Sequence, residues 1–198
     1  MKFFVVTSPL FDDKEYAFAE PKDDMYGDFP KCETCGKPIG QREWLSPHKV
    51  KLSKKSVGDA VFGSIFPFLI SARACKVFGD EKIKGFGLVE KVYPTNSNIE
   101  LFLPHMTRGA LLVDEASSRF KRDEVGVCPV CHIGGTITYF EKLVPIKDSW
   151  NDLELFILPQ LPGTIVAEER FVNVVKDHQL TNFKFTPITE HACPWKSY

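Results

Sequence analysis

A chain of 198 residues with 43% hydrophobic and 13% aromatic content is sized for one domain, or two small halves, around a sizeable core, which excludes a disordered chain. A formal net charge of -1 provides no global basic field, so composition does not point to nucleic acid or an acidic membrane surface. The charge is uneven, however: residues 1–30 hold seven Asp/Glu against three Lys, whereas Lys31 to Lys84 holds eleven Lys/Arg against five Asp/Glu. Such runs read either as solvated faces or as a charged docking surface for a protein partner.

The opening MKFFVVTSPLF has four consecutive apolar residues before Thr7, too few for a signal-peptide core. No later apolar run reaches the roughly 18 residues of a membrane span. A cytoplasmic chain is therefore expected, in which thiols stay reduced. Of its six cysteines four lie in Cys-x-x-Cys pairs, a pattern that there favours metal over disulfides.

In chain order, KFFVVT reads as an opening strand and EYAFAE as a second, short one. PKDDMYGDFP carries turn chemistry ahead of Cys32. HKVKLSK alternates polar and apolar residues as a half-buried strand does. GDAVFGSIFPFLIS, punctuated by Gly and Pro, predicts two short buried strands rather than a helix. SARACKVFGDEKI predicts a helix with Ser71 as N-cap and Gly79 near its end, and GFGLVEKVYP a strand closed by Pro94.

Beyond Cys131 the order recurs. SWNDLELFIL resembles SVGDAVFGSI, and GTIVAEERFVNVVKDHQLTNFKFTPI resembles FPFLISARACKVFGDEKIKGFGLVEKV. In each, a short aliphatic strand meets a helix with an Arg, then an apolar–x–x–Phe exit into a strand. Cys32 and Cys128, Asp59 and Asp152, Leu69 and Ile165, and Phe86 and Phe183 lie at similar spacings, and KFFVV and ELFLP precede their Cys pairs at comparable distances. The expectation is a single compact unit, 1–198, made of pseudo-repeat halves at about 1–95 and 96–198.

A Cys-x-x-Cys turn points two sulfurs at one ion. Cys32 and Cys35 are followed by Gly36, which can adopt positive φ; Cys128 and Cys131 are followed by His132, with Gly134 and Gly135 beyond. If each half carries one knuckle at an equivalent place, the halves bring both pairs to one structural zinc, Zn2+ held by Cys32, Cys35, Cys128 and Cys131. Two alternatives stay open: a dithiol redox site, and separate sites completed by His48, His105, His132 or His191. Four cysteines would close the shell, which argues against hydrolytic metal chemistry.

No Gly-rich phosphate loop, nucleophile elbow or convergent acid–base set is present, so the chain does not read as an enzyme. Asp59 and Asp152 form a conceivable symmetric carboxylate pair, although an Asp ending a turn is the commoner role. Cys75 reads as core, and Cys193 beside His191 as an inert thiol. Trp44 either supports the first knuckle or contacts a partner. With Lys49 to Lys55 it forms the basis of the alternative reading, a zinc-ribbon nucleic-acid-binding or regulatory protein.

The two distant Cys pairs, Trp44-Leu45 with Pro47, KVKLS, GDAVFG and LISARACKVF with IKGFGLVEKVYP resemble the double-CXXCG-motif family of bacterial immunity-type proteins found with polymorphic or contact-exchanged toxins. The resemblance is best over residues 32–94 and thinner beyond Cys131, and His132 stands where the family has Gly. It implies a non-enzymatic protein that binds and blocks a cognate toxin; no toxin-binding residue carries over. The acidic segment Asp12 to Asp28 offers a steering surface for a basic toxin. The expected fold is α+β, mostly antiparallel strands with short helices, two knuckles forming one split four-cysteine site.

Overall fold

The computed structural model describes residues 1–7, 15–22, 25–64, 67–123 and 126–193. In chain order its strands are β1 (Phe3–Thr7), β2 (Ala19–Pro21), β3 (His48–Leu52), β4 (Ala60–Val61) and β5 (Leu69–Ser71), followed by α1 (Ala72–Asp80). Next come β6 (Phe86–Pro94), β7 (Leu101–Met106), β8 (Leu112–Val113), β9 (Lys121–Arg122), β10 (Ile137–Tyr139) and β11 (Pro145–Ile146). The chain continues with β12 (Leu155–Leu158), β13 (Leu161–Glu168), α2 (Glu169–Asp177) and β14 (Lys184–Pro187). The fold is α+β with mostly antiparallel pairing; within the sheets, β3 beside β6 is the parallel pair. The second expected strand forms at Ala19–Pro21, later than EYAFAE suggests.

Alternation along the strands builds three apolar layers. Leu69 of β5 faces the core beneath β3 and Trp44, while Ile70 faces a central core shared with α1, α2 and Phe68. On β13, Ile165 and Ala167 enter that central core and Val166 points to the opposite side, with Phe3, Phe156 and Leu158. The central core joins the six-stranded sheet (order β2-β3-β6-β7-β5-β4) to the four-stranded sheet (order β12-β13-β1-β14). Phe78 of α1 and Phe171 of α2 meet there with ring centroids 5.0 Å apart. Both are buried, and a Phe→Ala truncation at such a site costs about 3–5 kcal/mol.

The two strand–helix–strand segments are built alike. Ser71 caps α1 by accepting the Ala74 N–H at 3.0 Å, and Glu168 caps α2 by accepting the Arg170 N–H at 2.7 Å. Both helices are nine residues long. After each, a non-glycine residue takes positive φ, Lys82 at 52° and Gln179 at 51°; Gly79 therefore lies within the last turn of α1 and does not end it. Buried Ile83 and Leu180 then lead into Phe86 and Phe183.

The strand inserted between the two arms differs in origin. β7 lies between β5 and β6, with Leu101 opposite Ser71 and Phe102 opposite Ile70. In the four-stranded sheet that slot is filled by β1 from the other end of the chain, with Phe3 opposite Glu168 and Phe4 opposite Ala167. β7 thus follows its sheet neighbour β6 directly in sequence, whereas β1 is separated from β13 and β14 by every strand of the six-stranded sheet.

Candidate metal centre

The Cys sulfurs converge. The Sγ atoms of Cys32, Cys35, Cys128 and Cys131 all lie within 4.8 Å of one another, and Cys35 Sγ is 3.6 Å from Cys131 Sγ. Four sulfurs about 2.3 Å from one tetrahedral ion would stand about 3.8 Å apart, so the donor set fits a metal of that preference. Cys32 and Cys131 are 5% and 1% exposed, and the other two sit nearer solvent.

Matching turns produce this convergence. The Gly36 N–H donates to the Cys32 carbonyl at 2.8 Å, and the His132 N–H to the Cys128 carbonyl at 2.9 Å. Cys32 N–H donates to Lys37 O at 2.9 Å, and Cys128 N–H to Ile133 O at 3.1 Å. Gly36 takes φ 71° and His132 φ 57°. His132 therefore adopts the backbone conformation of the glycine it replaces, and the turn survives the departure from the family pattern. The metal-capable cluster found among the described residues consists of the four cysteines and includes none of the histidines.

Electrostatics distinguish the thiols. Backbone N–H groups of Cys131 and Val130 face Cys128 and bring its thiol down to about 6. The N–H of Cys35 likewise lowers Cys32. Burial pushes Cys131 up to about 12, a direction that the neighbouring sulfurs reinforce. A cation among them would reverse that repulsion, because the thiolate is the ligand form.

Contacts around the sulfurs cross between the two knuckles. Lys37 Nζ donates to the Gly134 carbonyl at 3.0 Å. Arg108 Nη2 donates to the Cys131 carbonyl, and to Pro159 O at 3.0 Å. Arg108 carries no motif in the sequence and gave no signal there.

Other sequence candidates lie elsewhere. Trp44 is 7% exposed, packs on His48 with centroids 4.7 Å apart and belongs to the core of the six-stranded sheet, so its ring serves chiefly as packing. Lys49 and Lys51 point outward from β3, and Lys54 and Lys55 are exposed beyond it. Cys75 packs against the central core, where burial raises its thiol. Cys193 packs against the outer core of the four-stranded sheet, and its N–H donates to Phe140 O at 3.1 Å. Burial lowers His191, whose ring lies 5.7 Å from that of Phe140.

The carboxylate pairing needs correction. Asp152 is exposed in a left-handed turn (φ 60°), whereas the buried counterpart of Asp59 is Glu154. Of the acidic segment proposed for docking, Asp12, Asp13, Asp23 and Asp24 lie outside the described residues. No helix among the described residues is long and apolar enough to cross a membrane.

A comparison with curated proteins returned no match. A family model does match, over residues 19–190, a span that includes both knuckles, both helices and most strands of both sheets. It agrees with the immunity-type resemblance of the Cys pairs and their surroundings, and it points to a non-enzymatic role. The chain belongs to the Immunity protein family (Imm11).

Proposed function

We propose that this protein is a cytoplasmic immunity protein that binds a cognate bacterial toxin and occludes its active surface. Zinc on Cys32, Cys35, Cys128 and Cys131 holds the binding surface in shape. The family supplies the immunity role; the observation supporting the zinc is the meeting of four sulfurs from sequence-distant turns within 4.8 Å. When bound, the metal would supply four strong bonds between the knuckles and leave no open position for a substrate. The protein's own residues supply the turns, the N–H groups facing the sulfurs and the contacts from Lys37 and Arg108.

The same reading treats residues of about 1–95 and 96–198 as pseudo-repeats forming one unit. Its support is the shared register: Ser71 opposite Leu101 as Glu168 is opposite Phe3, and Ala60 opposite Ile70 as Leu155 is opposite Ala167. The zinc then ties one knuckle of each half.

The test combines two measurements. The chain is co-expressed with each candidate toxin domain found encoded near its gene and growth is scored; protein purified without added metal is analysed for zinc. Rescue of growth, with a stable complex and one zinc per chain, is expected. Absence of rescue and of complex rejects the immunity role, and metal-free protein of full stability rejects the zinc.

A further inference from the structure

An open cleft of about 850 Å3 lies between residues 28–30 and 39–46 on one side and the strand segment Leu103–Met106 with Glu90 of β6 on the other. Glu90 Oε2 sits 2.5 Å from His48 Nε2 and 3.3 Å from His105 Nε2. His48 is 2% exposed, and its contact, with that of His105 behind it, holds the Glu90 carboxyl below the usual carboxylate range. The second oxygen, Oε1, has no hydrogen bond among the described residues. Asp28 and Glu43 also line the cleft, and neither carboxylate has an ion pair or hydrogen bond among the described residues.

The lining guanidiniums each hold contacts of their own, although Arg108 Nε is buried without a partner among the described residues. Arg42 Nε donates to Gly27 O at 2.8 Å and the group lies over the Tyr26 and Phe29 rings, while Arg108 donates to the Cys131 and Pro159 carbonyls. Beside the carboxylates the cleft exposes apolar side chains: Phe29 and Leu45 line it while 43% and 38% exposed, and Met25, whose carbonyl accepts the Leu45 N–H, is 45% exposed. A second cleft of about 510 Å3 extends the surface past Phe29 and Arg42 towards Pro162. Large exposed apolar side chains beside unpaired charge mark a protein-binding surface.

We propose that this cleft is the toxin-docking site and that it takes a protruding toxin segment presenting a lysine or arginine between apolar side chains. The cation meets Glu90 with Asp28 and Glu43 around it, and the apolar flanks cover Phe29 and Leu45. The first knuckle, Cys32 and Cys35, lies in sequence between two lining stretches, residues 28–30 and 39–46, and Arg108 of the lining donates to the Cys131 carbonyl. Asp28, the last residue of the acidic segment, places that segment's end at the cleft.

This proposal rests on the immunity reading, and the test separates the two. The probe is the toxin domain that the co-expression test identifies as neutralised by the parent chain, catalytically inactivated, with binding measured by calorimetry and growth rescue scored in parallel. Phe29→Ala, Glu43→Lys and Glu90→Gln should each weaken binding by about tenfold or more, as central interface residues do. Circular dichroism and thermal midpoints should show Phe29→Ala and Glu43→Lys folded like the parent. Leu88→Ala and Tyr93→Ala, exposed on β6 away from the cleft lining, should bind as the parent does. Added salt should slow association with the parent more than with Glu43→Lys. Cleft variants that bind and rescue like the parent, or a loss confined to Leu88→Ala and Tyr93→Ala, overturn the cleft while leaving immunity intact. A parent chain that neither binds nor rescues overturns both.

Discussion

Glu154 occupies in the four-stranded sheet the position that Asp59 occupies in the six-stranded one. Asp59 Oδ2 accepts the Thr181 N–H at 2.8 Å, and Glu154 Oε2 accepts the Lys84 N–H at 2.8 Å. Arg73 lies 3.8 Å from Asp59 and Arg170 2.7 Å from Glu154. The two arginines also reach carbonyls beyond the opposite helix, Arg73 those of His178 and Gln179, Arg170 that of Glu81. Each carboxylate therefore links an early part of the chain to a late one.

Removing either carboxylate strands donors in a buried setting. Asp59 is 8% exposed at its side chain and also accepts from Ser71 Oγ and Thr181 Oγ1. Asp59→Ala should lower stability by about 2–4 kcal/mol and Glu154→Ala by a similar amount, read from urea unfolding. Arg73→Ala, whose side chain is 53% exposed, should cost about 1 kcal/mol or less. Equal losses for all three would mean that the buried carboxylates are not the ties.

Chelation should loosen the fold. A strong chelator, or Cys32→Ser, should remove the metal and cost several kcal/mol, lowering Tm by about 10 °C at roughly 2–4 °C per kcal/mol for a chain of this size. Cys75→Ser, outside the cluster, should keep the metal. Calorimetry with metal analysis of the same samples decides it.

In metal-free protein the thiols should titrate far apart. Cys128 is depressed to about 6, so alkylation at that site should rise with pH through about 6 and be lost below it. Cys131 is raised to about 12 and should stay unreactive through pH 9. The linkage signs are opposite. The stabilisation from Cys128 is present above the ordinary thiol value and fades as pH falls through about 6, while Cys131 favours the fold when protonated and opposes it as pH climbs towards about 12. Mass spectrometry after pH-stepped labelling reads each site, and bound metal should protect the cluster.

Backbone geometry makes two glycines unequal. Gly36 has φ 71° with open space around it, so Gly36→Ala should cost only the left-handed backbone penalty, about 1–2 kcal/mol. At Gly85, φ is 118° and an added Cβ would stand 1.6 Å from the Leu155 carbonyl oxygen. Gly85→Ala should therefore fail to give soluble folded protein. His132→Gly, at φ 57°, should be no less stable than the parent in thermal melts.

Much of this was legible in the sequence because it is local. Ser71 ahead of an amphipathic stretch announces α1, alternation announces β3, and the Cys-x-x-Cys spacing announces the two turns. Glu154 was missed because the counterpart of Asp59 differs in both residue type and spacing, and Asp152 looked the better match. Trp44 could be read as anchor or support until burial against His48 placed it in the core. Arg108 is one arginine among many until the fold brings it to the Cys131 carbonyl. Nor does any local pattern tell β1 which sheet it will join.

The position of β1 between β13 and β14 has a consequence for synthesis. Of the described strands β1 leaves the ribosome first, and its partners β13 and β14 leave it last. Closing that long loop precedes any gain from the pairing, so β1 waits, with Phe3 and Val5 not yet covered, until Lys184–Pro187 has emerged. The six-stranded sheet can gather its strands once β7 is complete; the four-stranded sheet cannot. A chain interrupted before β14 leaves a sheet without its last strand and an apolar β1 held on one edge only, a target for proteolysis rather than a partly working protein.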